Sequence, residues 1–216
     1  MTLPAHVTGV QSMASAESGA FDAEDIDAAR LLANCAVPTI EHARLARLTL
    51  TDETTATFKR RYYALRLQEE MGRARRGRSR LSVAFLDRDH FKQVHDAHGH
   101  EVGDLVLQAF ADRVRDVIRR YDVLVRRSGD GLILVMPNSG LRQTQVVAQR
   151  VRRSLGSHSL QVGSLPGITQ MVSIGVAEWD QAEPATEIGR RADQAMYEAQ
   201  HAGRNRVCVA LPLGSS

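Results

Sequence analysis

Apolar residues change their spacing in a regular alternation along this chain, and the alternation predicts its elements. Over residues 81–86 they run almost without a break and stop at Asp87, as in a short strand covered on both faces. A short helix follows over 91–98. A longer one starts near Glu101, with Val102, Leu105, Val106, Phe110, Val114 and Ile118 on one stripe. Residues 122–127 and 132–136 are two more apolar strands. Ser128, Gly129, Asp130 and Gly131 between them predict a hairpin whose glycines supply unusual backbone angles. A helix over 140–155, a strand over 171–177, a helix over 184–202 capped by Gly203, and a last strand over 206–211 complete the series.

Upstream the pattern is weaker. Residues 1–20 are rich in Ala, Ser, Gly and Thr without periodicity, which predicts a disordered start. A helix over 22–36, with Ile26, Leu31 and Leu32 as sparse apolar positions, is expected to end before Pro38. A second helical stretch over 55–76 closes on an arginine-rich turn.

Strands alternating with helices of this length define an α/β fold, with helices packed on a central sheet. The first strand ends at Asp87, and a right-handed crossover makes the next strand run parallel to it. The hairpin then lies at the same end of the sheet as Asp87, so Asp87 and Asp130 should converge. Two carboxylates at neighbouring strand ends suit a hard cation such as Mg²⁺, with nucleotide phosphates completing its shell and Gly129 letting them approach. Aspartates at turns also serve purely local hydrogen bonding, and spacing alone leaves both readings open.

Composition narrows the setting. The 216 residues suffice for one buried domain and an appendage. No apolar run approaches the ~20 residues of a membrane helix, and the first residues resemble no secretory signal, so the expected location is cytoplasmic and off the membrane. Cys35 and Cys208 lack metal-ligand spacing and read as packing residues. Net charge is only +3, but arginines cluster at 73–80 and at Arg119, Arg120, Arg126 and Arg127, which suits phosphate-bearing ligands. No aromatic residues interleave with the first cluster, so DNA binding is not expected. His90, His95, His98 and His100 invite a zinc reading, yet they fall in a loop and helix beside the expected nucleotide. Trp179 and Met196 read as core.

The blocks LDRDHFKQVHDAHGHEVGD, RRYDVLVRRSGDGLILVMP, VSIGVAEW and RADQAMYEAQHAGRN, in this order and spacing, resemble the GGDEF family of diguanylate cyclases. Asp52, Thr55, Arg60 and Arg61 match the family's DxLTGLxNRR lead-in. The resemblance covers roughly residues 48–211, and divides the chain into a disordered start at 1–20, a helical extension at 21–47 and a GGDEF domain at 48–212. It implies a five-stranded mixed sheet flanked by helices, similar to nucleotide cyclases and polymerase palms. The family's reaction joins two GTP into cyclic di-GMP and releases pyrophosphate, with two domains facing each other.

Carried over residue by residue, the resemblance makes Asp87, the Arg88 backbone carbonyl and Asp130 the ligands of Mg²⁺, with Asp130 also in the catalytic position. Asp104 matches a guanine-contacting aspartate and Arg204 a phosphate-contacting arginine; His95 takes the place of a guanine-contacting asparagine. The chain departs from the family at Gly131, where a glutamate is expected, at Gln200, where a phosphate-contacting lysine is expected, and at Ser128, the first motif glycine. A neutral amide does not replace the lost ammonium. Arg119 and Asp122 form the RxxD pair of the family's product-binding inhibitory site, where an arginine can grip guanine O6 and N7.

The expectation is therefore a degenerate domain that binds cyclic di-GMP, or GTP, with little or no cyclase activity. Two alternatives stand beside it: an active diguanylate cyclase, and a nucleotide-independent module whose N-terminal helices form a homodimer or recruit a protein partner.

Overall fold

The computed structural model describes residues 21–157, 159–160 and 167–211, without the side chains of 39–49; the expected disorder at 1–20 lies outside these residues. The chain forms two compact units that divide between Leu50 and Thr51.

The first unit holds α1 (Ala23–Leu50). Its start is a reciprocal cap: the Asp25 amide donates to Asp22 Oδ1 at 2.9 Å and the Asp22 amide to Asp25 Oδ2 at 3.1 Å. Contrary to expectation, the helix runs through Pro38. Proline removes one N–H, and on a helix this exposed water can satisfy the freed carbonyl. Cys35 is exposed on this helix, so it is not a packing residue.

In the second unit, α2 (Arg60–Gly77) starts later than the sequence pattern suggests. The residues before it are held out of the helix by Asp52, whose Oδ1 accepts the Thr55 amide at 2.9 Å and the Thr55 hydroxyl at 2.8 Å. Then come β1 (Leu81–Arg88), α3 (Phe91–Arg115), β2 (Val123–Arg126), β3 (Leu132–Pro137), α4 (Leu141–Ser157), β4 (Val172–Glu178), α5 (Ala185–His201) and β5 (Val207–Ala210). The two helices expected over 91–115 form one element broken at Gly99 (φ 80°).

The strands form one five-stranded mixed sheet in the order β2-β3-β1-β4-β5. β1 is antiparallel to β3 and β4, β2 is antiparallel to β3, and β4 is parallel to β5. β2 therefore runs in the same direction as β1 with β3 between them, so the crossover argument holds for direction and not for adjacency. One sheet face packs Ala84, Leu86 and Ile174 under Phe110 of α3 and Val151 of α4. The other packs Val83, Phe85 and Trp179 under Leu67 of α2 and Met196 of α5. Close packing of α5 depends on Gly175: a Cβ there would come 2.1 Å from the Ala192 carbonyl oxygen.

Candidate active site and a second cavity

The sheet order brings the end of β1 against the β2–β3 turn. Leu86 pairs with Leu132, so Asp87 leaves β1 beside the residues that precede Leu132. The turn is closed by the Arg127 amide donating to Gly131 O at 2.9 Å and the Gly131 amide to Ser128 O at 3.2 Å. Gly129 takes φ +58°, a conformation that favours glycine. Gly131 does not, and a Cβ there would lie 3.4 Å from both Asp87 Oδ1 and Leu86 O. Asp87, Asp130 and Gly131 thus meet at one sheet end.

Burial, reinforced by the charge of Asp130, raises the Asp87 carboxyl to a pKa of about 6, against the opposing effects of Arg127 and a hydrogen bond from Gln200. That bond runs from Gln200 Nε2 to Asp87 Oδ2 at 2.5 Å. Two carboxylates at one sheet end, the Asp87 one bonded to a neutral amide, are an oxygen donor set that fits Mg²⁺.

Asp89, two residues on, has a scaffolding role. Its Oδ1 accepts the Ser173 hydroxyl at 2.7 Å and its Oδ2 the Asn205 amide at 2.9 Å. This ties the turn carrying Arg204, exposed and in the left-handed region at φ 61°, to the end of β1.

On the α3 side a cavity of about 290 Å³ is lined by Phe91, His95, Asp104, Leu107, Gly129 and Asp130, among others. The His95 ring stacks edge-on between Phe91 and His100, with centroids 4.4 and 4.9 Å away. Glycine at 103 leaves room for that ring. Asp104 is exposed at the cavity rim. Arg126 also lines it, and its Nη1 bonds both oxygens of Asp52, at 2.9 and 3.0 Å.

A separate cavity of about 240 Å³ lies against β2, lined by Phe58, Arg115, Ile118, Arg119, Arg120 and Asp122, among others. Asp122 Oδ2 accepts the Arg119 amide at 2.8 Å, capping the turn. Its Oδ1 is buried and has no hydrogen-bond partner among the described residues. Burial pushes the Asp122 carboxyl above its ordinary value, with the Arg119 amide and charge acting in the opposite direction. Arg119 is exposed and donates to Tyr121 Oη at 2.9 Å.

Three features of this region were missed by sequence reasoning: the Gln200–Asp87 bond, the Arg127–Asp193 ion pair at 3.0 Å, and the buried Arg88 side chain. Each joins distant segments or depends on which strand face is covered. Among the described residues no cluster of three or more His, Cys, Asp or Glu is disposed to hold a metal.

A five-stranded mixed sheet flanked by helices, with paired carboxylates at one end, a cavity beside them and a second, arginine-lined cavity against β2, is the architecture of a cyclase-like α/β domain. The family model for the diguanylate cyclase GGDEF domain matches residues 49–206, and the chain belongs to that family. Diguanylate cyclase A of Treponema denticola is 31% identical over 183 residues, which is 83% of this chain and 49% of that protein. The probable diguanylate cyclase DgcC of Escherichia coli K12 is 33% identical over 172 residues, 79% of this chain and 46% of that protein. This chain therefore spans about half the length of these relatives. Among solved structures, the coiled coil and GGDEF domain of DgcB from Caulobacter crescentus, in complex with c-di-GMP, aligns with a TM-score of 0.75 at 26% identity, over 88% of this chain and all of that one. No helix among the described residues is long and apolar enough to cross a membrane.

Proposed function

We propose that this domain acts in cyclic di-GMP signalling as a receptor for cyclic di-GMP, with little or no cyclase activity of its own. The observation that carries the reading is the buried Oδ1 of Asp122, unpartnered among the described residues, beside Arg115, Arg119 and Arg120. A carboxylate oxygen without a donor accepts the N–H groups of a guanine base, and an arginine fork suits guanine O6 and N7 while neighbouring guanidiniums meet phosphate.

At the sheet end, Asp87, Asp130 and the Arg88 carbonyl would hold Mg²⁺, which when bound neutralises phosphate charge. Gly129 leaves the turn open to phosphates, while Asp104 and His95 line the space for a base. Gly131 supplies no carboxylate and Gln200 no cation at the family's catalytic and phosphate-binding positions, and loss of one positioned group commonly lowers rate by ~10² to 10⁴. The retained pair Asp87 and Asp130 favours a second reading, a slow diguanylate cyclase.

Calorimetric titration of nucleotide-free protein with cyclic di-GMP tests the first reading. Binding by the native chain, weakened at least about tenfold in Arg119→Ala, supports it, since a bidentate arginine–guanine contact contributes roughly 1–3 kcal/mol. No binding by the native chain overturns it. Chromatography after incubation with Mg²⁺ and GTP separates the second reading: cyclic di-GMP formed by the native chain and absent with Asp130→Ala identifies a cyclase.

A further inference from the structure

α5 ends at His201 and β5 begins at Val207, and the connection between them turns on three consecutive residues with positive φ: Gly203 (110°), Arg204 (61°) and Asn205 (45°). Capping explains the first. Helices commonly end on a left-handed glycine, and here the Arg204 amide donates back to the Ala199 carbonyl at 3.0 Å. Arg204 and Asn205 follow in the same uncommon region although both carry a Cβ. Such strain persists only where surrounding contacts hold it, and it gathers at functional sites.

The contacts that hold this turn come from two opposite charges on one residue. Asp89, 5% exposed and directly after β1, accepts the Asn205 amide through Oδ2 at 2.9 Å, while its Oδ1 accepts the Ser173 hydroxyl. From the other side Arg152 on α4 donates through Nη1 to the Asn205 carbonyl at 3.3 Å and to Asn205 Oδ1 at 3.4 Å, and through Nε to Gln149 Oε1 at 3.0 Å. Neither Asp89 nor Arg152 forms an ion pair among the described residues. The turn lies at the sheet end of the paired carboxylates, because Asp87 pairs across the sheet with Ser173, the residue whose hydroxyl Asp89 holds. Asn205 is half-buried in the clamp, whereas Arg204 is exposed and its guanidinium has no partner among the described residues. A fixed, unpaired cation beside two carboxylates that suit Mg²⁺ is matched to the phosphates of a nucleotide.

We infer that Asp89 and Arg152 are positioning residues: by clamping Asn205 they maintain the strained turn that holds Arg204 for the triphosphate of a nucleotide at this sheet end. The inference rests on the reading of that end as a nucleotide site. Arg152 gives the sharper test, since it sits on α4 outside the residues that line either cavity, so its effect on nucleotide binding passes through the turn. Methionine at 152 would keep the packing of the aliphatic stem and remove the donors.

The test is calorimetric titration with GTP and Mg²⁺ of the native chain, Arg152→Met, Arg152→Lys, Arg204→Asn and the double variant Arg152→Met with Arg204→Asn, beside thermal melts. Asparagine at 204 tolerates the left-handed backbone and removes the cation. Arg204→Asn and Arg152→Met should each bind GTP about tenfold more weakly than the native chain. Arg152→Lys keeps a donor for the Asn205 carbonyl and should recover to within about threefold of native affinity. The double variant should bind no more weakly than Arg204→Asn alone, because a residue that acts through another adds nothing once the other is gone. Native affinity in folded Arg152→Met or in Arg204→Asn, or losses that add in the double variant, overturns the positioning role and leaves the nucleotide site standing. A native chain that binds no GTP overturns the nucleotide site, and the positioning role with it.

Discussion

Nε2 of Gln200 on α5 donates a hydrogen bond to Oδ2 of Asp87 at the end of β1, 2.5 Å away. The bond is a direct polar link from α5 to the paired carboxylates, and its donor is neutral. Burial and Asp130 hold the Asp87 carboxyl at a pKa of about 6, above its ordinary value. Because the folded state binds the proton more tightly than the unfolded one, stability falls as pH rises through the window from about 4 to 6 and is then level. Mg²⁺-dependent GTP binding should behave oppositely, weakening by about tenfold per unit as pH falls below that value. Gln200→Lys should move the midpoint of this binding curve down, because an ammonium favours the carboxylate form. Titrations from about pH 5 to 8 on both proteins check it; an unchanged midpoint would remove Gln200 from the electrostatics of the site.

Gly131 has no positive φ, and a Cβ there would stand 3.4 Å from Asp87 Oδ1 and from Leu86 O, at the limit of ordinary contact. The backbone can therefore carry a side chain, and a glutamate would bring its carboxylate to the Asp87 and Asp130 pair. Gly131→Glu combined with Gln200→Lys should raise cyclic di-GMP formation from GTP by at least about 10²-fold over the native chain. Chromatographic product analysis reads the outcome directly.

The two carboxylate oxygens of Asp122 differ in the structure, one capping the turn at Arg119 and the other without a donor among the described residues. Asparagine can keep the cap through its carbonyl but offers an amide N–H₂ where the second oxygen was. Asp122→Asn should leave the melting temperature within a few degrees and weaken cyclic di-GMP binding about tenfold. Asp122→Ala should lower both, since loss of a cap costs roughly 1 kcal/mol.

Arg191 on α5 is 5% exposed and its guanidinium is held by Glu183, with further bonds to the Glu178 and Leu211 carbonyls. Removing the carboxylate leaves a buried charge short of its counterion. Glu183→Ala should cost about 3–5 kcal/mol of stability, whereas Glu187→Ala, which disturbs a solvent-screened pair on the same helix, should leave stability nearly unchanged. Urea unfolding of the two variants distinguishes them.

Much of the fold is legible along the chain because its signals are local. The apolar run 81–86, the stripe of α3 and the motif residues around Gly129 each depend on neighbours in sequence. The convergence of Asp87 with Asp130 is legible too, since the handedness of crossovers makes it a matter of topology. Local propensity misplaced two boundaries: α1 continues through Pro38, and residues 55–59 stay outside α2 because Asp52 binds the Thr55 amide and hydroxyl.

By itself the sequence determined the family, the order of elements and the residue types at each candidate site, because these follow from periodicity, turn chemistry and motif spacing. Only the tertiary structure decided what those residues meet. A strand apolar on both faces does not show which face its last residue takes, so the burial of Arg88 followed from packing under α3. The sheet order β2-β3-β1-β4-β5 differs from chain order, and pairs such as Arg126 with Asp52 and Gln200 with Asp87 arise from strand neighbours that no local pattern encodes.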